Sequence, residues 1–417
     1  MTTERTGTSP EFINPVEIGV YDELDPLRKV ALWGEPGPET ALAKLYPYQI
    51  SLFLEKDESM DVMEARREMT NYTGILVDNG VSVLHVRDHL AKTLPIPNKT
   101  VAEARIDLVE SGKSILETYP EEKYPEQRGK KEQFEAEVLA TFNDDIAKYG
   151  ERGALALAYS LSLNGNLPLG NMIYARDPMN VIGDTMIISN MKKPIRKAEV
   201  PFYRDFYRDH GIRNMHDLPQ LGGYTFEGGD AYVIDKTVYI GVGSRTSPKA
   251  AIDIFKAYKN HPSMHDYKFV MVKQEQPPRD LKSYQAAQDV MHIDTWSFFF
   301  GDKHVLINPT ESKRRRVILL SIDQQGKVVE TDLGNYYDYL KSIGYTIHDL
   351  KDDAQKDFGA NNLALDRKTV IISKSTNPDV TQTLKDNGQT VIEASLEHIT
   401  RGYGGTHCVT GQLSRTL

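Results

Sequence analysis

Cys408 is the sole cysteine of the chain and lies in Gly404-Gly405-Thr406-His407-Cys408-Val409-Thr410-Gly411. A single thiol has no internal disulfide partner, and its glycine-rich surroundings allow backbone and ligand to come close. Such a thiol is either a nucleophile, given an acid/base partner elsewhere, or a small buried hydrophobe. Three upstream segments offer partners. In Met291-His292-Ile293-Asp294-Thr295, His292 and Asp294 stand two apart, which on a strand turns both side chains to one face. An imidazole beside a carboxylate is a proton-transfer pair. Phe226-Glu227-Gly228-Gly229-Asp230 places two acids around two glycines, where the backbone can turn sharply. Asn171-Met172-Ile173-Tyr174-Ala175-Arg176-Asp177-Pro178 carries an aspartate that the following proline biases toward extended backbone, as at the end of a strand. Turn capping and solvated surface acids are the plainer roles for these residues. Together, a thiol, an imidazole and carboxylates suit a cysteine protease or an acyl transferase. The excess of acids suits a cationic substrate better. A planar guanidinium is bound best by carboxylates that accept paired N–H bonds, and Glu227, Asp177 and Asp294 could supply that grip.

The elements that must position these residues alternate short apolar runs with helical patterns. Val30–Trp33 reads as a strand, and Met60–Asn79 as a helix stopped at Asn79-Gly80. Val81–Val86 reads as a second strand, giving a βαβ-like unit. From about Asn98 to Ser162 the chain is rich in Glu, Lys, Ala and Leu, which predicts a helical insertion. Its middle, Tyr119–Glu126, is a charged surface loop. Strands then return at Thr185–Ser189, at a hairpin Ala231–Ile234/Thr237–Ile240 turned by Asp235-Lys236, and at Lys268–Val272, Val305–Ile307 and Val317–Leu320. Pro248–Lys259, Tyr336–Gly344 and Asp379–Gly388 read as helices. The recurrence hints at a repeated supersecondary unit, with periods too irregular to establish one.

The bulk numbers bound the class. With 40% hydrophobic and 26% charged residues the chain is globular, and a net charge of -9 without a basic stripe argues against a nucleic-acid partner. No stretch reaches the ~20 apolar residues of a membrane span, and no apolar signal core follows Met1, so a cytoplasmic location is expected. Residues 1–15 read as a flexible arm, and 16–417 as a single catalytic domain. With one cysteine and no CxxC, HExxH or Walker-type motif, no metal and no cofactor are expected; His304 and His407 stand isolated.

Taken in order, the polar segments resemble the guanidino-group-modifying superfamily of arginine deiminases and amidinotransferases. The matching residues are Asn171 with Arg176-Asp177-Pro178, Glu227-Gly228-Gly229-Asp230, Met291-His292-Ile293-Asp294-Thr295 and Gly404-Gly405-x-x-Cys408. Gly243-Ser244-Arg245-Thr246-Ser247 and the region Gly19–Leu90 are similar too, so the resemblance covers most of the chain. It implies a five-bladed α/β propeller of ββαβ units around a central site, here with the helical insertion. It implies Cys408 as nucleophile, His292 as proton shuttle and Glu227 as its orienting partner. Asp177 and Asp294 would grip the guanidinium, and Asn171, Arg196 and Arg245 would hold the substrate α-carboxylate. The partner is then a small guanidino compound, and a homo-oligomer is compatible with it.

Within the superfamily two branches compete. Tyr403 and His407 stand where deiminase tails carry arginines, and Val409 and Gly411 where they carry methionines. His407-Cys408 and Val305–Pro309 resemble the amidinotransferases. Glu227-Gly228-Gly229-Asp230, the helical insertion and a chain end soon after Leu413-Ser414-Arg415 favour a deiminase-like hydrolase, which takes arginine to citrulline and ammonia. The alternatives are an amidinotransferase passing the amidino group to an amine, and a non-catalytic arginine binder.

Overall fold

The computed structural model describes residues 16–47, 59–125, 129–165, 167–275, 290–374 and 376–415. The N-terminal arm expected over residues 1–15, and Glu126 of the charged loop, lie outside them.

The protein is a mixed α/β fold; the described residues form five small sheets, and the same three-stranded unit recurs in each. A hairpin gives two antiparallel strands; a helical connection then returns the chain to a third strand, parallel to the second. One unit is β3 (Met179–Ile182), β4 (Thr185–Ile188) and β5 (Met215–Asp217). The next is β6 (Ala231–Ile234), β7 (Thr237–Val242) and β8 (Lys268–Gln274). The third is β9 (Ser297–Phe300), β10 (His304–Ile307) and β13 (Thr346–Asp349). The fourth is β14 (Leu363–Ala364), β15 (Thr369–Ser373) and β16 (Thr390–Ala394). In the last unit β17 (Gly411–Arg415) pairs antiparallel with β1 (Leu27–Leu32), and β1 runs parallel to β2 (Ser82–His85). The strand that follows Cys408 therefore joins the far end of the chain to its beginning. Between β10 and β13, β11 (Arg315–Ile322) and β12 (Val328–Asn335) leave their own unit and widen the β6–β7–β8 sheet to five strands.

Local chemistry sets these elements. The β6–β7 hairpin turns on Asp235 and Lys236 with φ of 47° and 56°, the two positive φ values of a type I′ turn whose twist matches the strands. The helix Val62–Asp78 is capped by Asp61, whose side chain accepts the Glu64 N–H, and stops at Asn79 before Gly80. The insertion consists of helices Val101–Thr118 and Lys130–Leu157. The first opens on a Thr100/Glu103 capping box, and the second is broken by Gly150 at φ 71°. Arg87, fully buried, ties the insertion to the body. Its guanidinium meets Asp145 twice at 2.6 Å and Glu39 at 3.1 and 3.2 Å. A buried guanidinium is tolerable only with such paired acceptors.

Most strands are buried on both faces, which is why their sequences show continuous apolar runs instead of alternation. Three apolar clusters fill the interior, and Cys408 and Val409 belong to the one containing Val30, Tyr72 and Tyr174. Among the described residues no helix is long and apolar enough to cross a membrane.

Candidate active site

Each three-stranded unit is entered through a turn, and the five turns meet. Asp177-Pro178 precedes β3, and the tight turn Gly228–Asp230 precedes β6. The turn Ile293–Thr295 precedes β9, Asn361-Asn362 precedes β14, and Cys408 precedes β17. The candidate side chains occupy equivalent places in the repeat. Two sequence expectations change here. His292 caps a short 3-10 turn and Asp294 lies within it, not on a strand, and Asp177 stands before a strand instead of ending one.

The turns pack tightly enough to demand glycine. A Cβ at Gly228 would fall 2.1 Å from the Arg176 carbonyl oxygen, and one at Gly229 would fall 2.6 Å from His292 Nδ1. Arg176 stitches this loop down, donating to the carbonyls of Gly228 (3.2 Å) and Ala231 (2.8 Å) and to Glu23 (2.9 Å).

At the centre His292 and Glu227 are wholly buried, with Nε2 2.9 Å from Oε2. Burial pulls the His292 pKa down, but the charges of Asp177, Glu227 and Asp230 outweigh it and raise it to about 9. Burial likewise opposes ionisation of Glu227, yet Arg245 at 3.2 Å and His292 hold it well below the usual carboxylate range. Asp230, buried and accepting the Ile293 N–H at 3.1 Å, is pushed up to about 7 by burial.

Cys408 is 1% exposed, and its Sγ lies 3.9 Å from Asp294 Oδ2. Burial first, then the charges of Asp294 and Asp177, push the thiol well above its ordinary range. The Asn361 side chain and the Gly405 N–H pull the other way. Asp177 and Asp294 share one design. Each has one oxygen tethered: Asp177 Oδ2 by Arg196 at 2.6 Å, Asp294 Oδ2 by His407 at 2.7 Å. The other oxygen of each is buried and has no hydrogen-bond partner among the described residues, as is His292 Nδ1. Buried acceptors of this kind are costly unless something completes them.

The expected carboxylate-binding residues are differently disposed. Arg245 sits against Glu227. Every nitrogen of Arg196 has a protein acceptor: Nε and Nη2 on Glu199, Nη1 on Asp177, Nη2 also on the Asn171 carbonyl. In this conformation Arg196 is committed to protein carboxylates, and Asn171 meets it through its backbone. Asp177, Glu227 and His292 have ligand atoms within 4.8 Å of one another. Two guanidinium charges adjoin that trio and oppose a metal dication more strongly than a singly charged organic cation.

Sequence reasoning passed over Asn361. Its Oδ1 accepts the N–H groups of Gly405 (2.9 Å) and Cys408 (3.1 Å), and its Nδ2 donates to the Asp294 carbonyl at 3.3 Å. It thus staples the thiol segment to the Asp294 turn. The signal that would have found it is its place before the first strand of a hairpin unit.

A sequence model described as arginine deiminase matches residues 52–415. The chain belongs to the arginine deiminase family. It is 23% identical to the arginine deiminase of Metamycoplasma hominis across 95% of this chain and 96% of that protein. With the arginine deiminase of Borrelia garinii subsp. bavariensis it shares 26% identity over 97% and 98% of the two chains. Among solved structures, an amidinotransferase of saxitoxin biosynthesis from Microseira wollei aligns with a TM-score of 0.52 at 16% identity, covering 96% of this chain and 98% of that one. A dimethylarginine dimethylaminohydrolase aligns with a TM-score of 0.52 at 12% identity, covering 93% and 100%. At these identities the structural likenesses speak for the fold alone. In the tail of this chain Tyr403 is held at φ 69° with its ring edge-on to Phe358 at 5.9 Å. His407, in the same tail, is buried between Asp294 and Glu23.

Proposed function

We propose that the protein is a guanidino-group hydrolase that takes arginine, or a related guanidino compound, through a covalent intermediate on Cys408. The observation that carries this reading is a buried thiol beside two aspartates whose untethered oxygens accept no hydrogen bond among the described residues, Asp177 Oδ1 lying 3.6 Å from His292 Nδ1. A guanidinium would complete both with N–H donors and bring a positive charge to the thiol. That charge offsets Asp177 and Asp294, which after burial do most to hold the thiol protonated, so substrate binding and thiolate formation would be coupled.

With the substrate bound, the Cys408 thiol gives its proton to solvent, and the Sγ thiolate attacks the guanidinium carbon to give a tetrahedral adduct. His292, protonated through neutral pH and oriented by Glu227, gives its proton to the departing nitrogen from Nδ1. Ammonia leaves, and a thiouronium remains on Cys408. His292, now neutral, draws a proton from water, which attacks the same carbon, expels the thiolate and yields citrulline. Arg245, Arg196 and Asn171 form the candidate anchor for an α-carboxylate, which requires Arg196 to exchange a protein acceptor for it. We infer too that the five units stand as the blades of an α/β propeller, as one domain with the helical insertion; the β17–β1 pairing supports this.

The second reading is an amidinotransferase, favoured by His407 directly before Cys408. A transferase must keep water from the thiouronium and a hydrolase must admit it. A cavity of about 10 Å³, roughly the room one water needs, is lined by Asp230, Ser244, Met291, His292 and Arg315 among others and would admit a water beside the imidazole. Incubation with arginine, with and without glycine or lysine, followed by mass spectrometry, decides the matter. Citrulline plus ammonia is expected. Ornithine plus an amidinated amine would overturn the hydrolase reading, and no turnover of arginine would move the substrate to another guanidino compound.

A further inference from the structure

His407 lies next to the nucleophile in sequence and is 2% exposed. Its two ring nitrogens face two carboxylates: Nδ1 is 2.7 Å from Asp294 Oδ2, and Nε2 is 3.3 Å from Glu23 Oε2. Both contacts are satisfied together when both nitrogens donate. The far end of this bridge is fixed, because Glu23 also accepts from Arg176 at Oε1 and from Gln412 at Oε2, each at 2.9 Å. Burial of Glu23 is outweighed by Arg176 and His407, which hold its pKa down at about 2, so it stays a carboxylate anchor. The Tyr232 ring lies 5.3 Å from the imidazole at 33° and limits its rotation.

The consequence falls on Asp294. A carboxylate's terminal torsion is broad and two-fold, so an untethered one swings freely. Here Oδ2 is pinned by His407 and lies nearest the thiol, which leaves Oδ1 as the open acceptor. Asp177 is pinned in the same way, with Arg196 as its tether.

We propose that His407 is the positioning residue of Asp294, fixing its carboxylate so that Oδ1 meets a guanidinium N–H beside Cys408 Sγ. The inference rests on the guanidinium-binding reading above. His407 acts through Asp294 and touches no substrate atom.

The test compares two alkylating agents on the full chain. In each, Cys408 Sγ displaces chloride and the thiol proton passes to solvent. Chloroacetamidine carries an amidinium that the aspartates would hold; chloroacetamide is its neutral counterpart. The ratio of their rates reads the grip and cancels changes in thiol reactivity. His407→Asn places an amide nitrogen where Nδ1 stands, whereas His407→Gln places it toward Glu23. The wild-type chain should prefer the amidine, and His407→Asn should keep that preference within about threefold. His407→Gln and His407→Ala should lose about tenfold or more, the scale of a hydrogen bond to a charged group. Unchanged preference in folded Gln and Ala variants, checked by near-UV circular dichroism, overturns the role of His407 alone. Should those two fail to fold, loss of the preference in a folded Asn variant overturns it equally. A wild-type chain with no amidine preference overturns the guanidinium reading and this inference with it.

Discussion

Glu227 Oε2 and His292 Nε2 stand 2.9 Å apart with neither side chain exposed. Burial alone would favour a neutral imidazole; the acids around it win, and His292 keeps its proton up to about pH 9. A proton donor held in this way fails on the alkaline side. Turnover that needs the imidazolium should therefore fall as pH rises through about 9. Glu227→Gln removes one of the charges that raise the pKa, so the alkaline limb of kcat should move down by about one pH unit and kcat should drop about tenfold to a hundredfold. A pH–rate profile of both proteins checks this, and an unmoved limb would detach Glu227 from His292. The sign for stability is the same: a raised imidazole pKa contributes most below about pH 6.5 and is lost as pH climbs through about 9.

Cys408 sits in an apolar cluster with Tyr174, Ala175 and Val409. On the proposed mechanism its sulfur has a chemical use and only a small packing one. Cys408→Ala should abolish turnover while lowering stability by about 1–2 kcal/mol, the scale of one small buried group. Mass spectrometry of the products and a thermal melt check the two halves. Retained turnover would remove the covalent intermediate from the mechanism.

Asp230 presents the opposite case to Glu227, although both lie in one loop. Arg315 interacts with it electrostatically, yet burial raises its pKa to about 7. Folding then favours the protonated acid, so its contribution to stability is full below the ordinary carboxylate range and is lost as pH rises through about 7. Asp230→Asn keeps an acceptor for the Ile293 N–H and removes the titration. The variant should gain on the wild type between pH 5 and pH 8, measured by urea unfolding at both values. A constant difference across that range would refute the assignment.

The strands and helices were legible because they carry strong local signals: the Asn79-Gly80 stop, the Asp235-Lys236 turn and the apolar run at β9. The polar segments were legible as chemistry, since acids, a histidine and a thiol declare their functions by type. Their equivalence was not. Doubly buried strands show no alternation, and the connections between second and third strands vary in length, from the Val200–Asp209 helix to the whole β11–β12 excursion. The repeat is therefore a matter of pairing, which a linear sequence does not display. The strand assigned to His292 and Asp294 failed for a related reason: a short turn also brings residues two apart to one side. Asn361 carries no titratable group, so nothing in its type marked it.

Asn361 is where that omission can be tested. Its amide holds two N–H groups of the thiol segment and the carbonyl of Asp294, and its side chain is one of two influences that lower the Cys408 pKa. Asn361→Asp preserves the two accepted bonds at Oδ1. It replaces the Nδ2 donor by an oxygen that faces the Asp294 carbonyl, and adds a negative charge beside a thiol already opposed by Asp294 and Asp177. Every change acts in the same direction, toward the protonated thiol. The midpoint of iodoacetamide labelling of Cys408 should move up by about one pH unit or more, and labelling at pH 8 should slow about tenfold. Turnover should fall at least as far, because the Asp294 turn loses a tether as well. An unchanged labelling midpoint in a folded variant would reduce Asn361 to a structural staple and leave the fourth unit without a part in the chemistry.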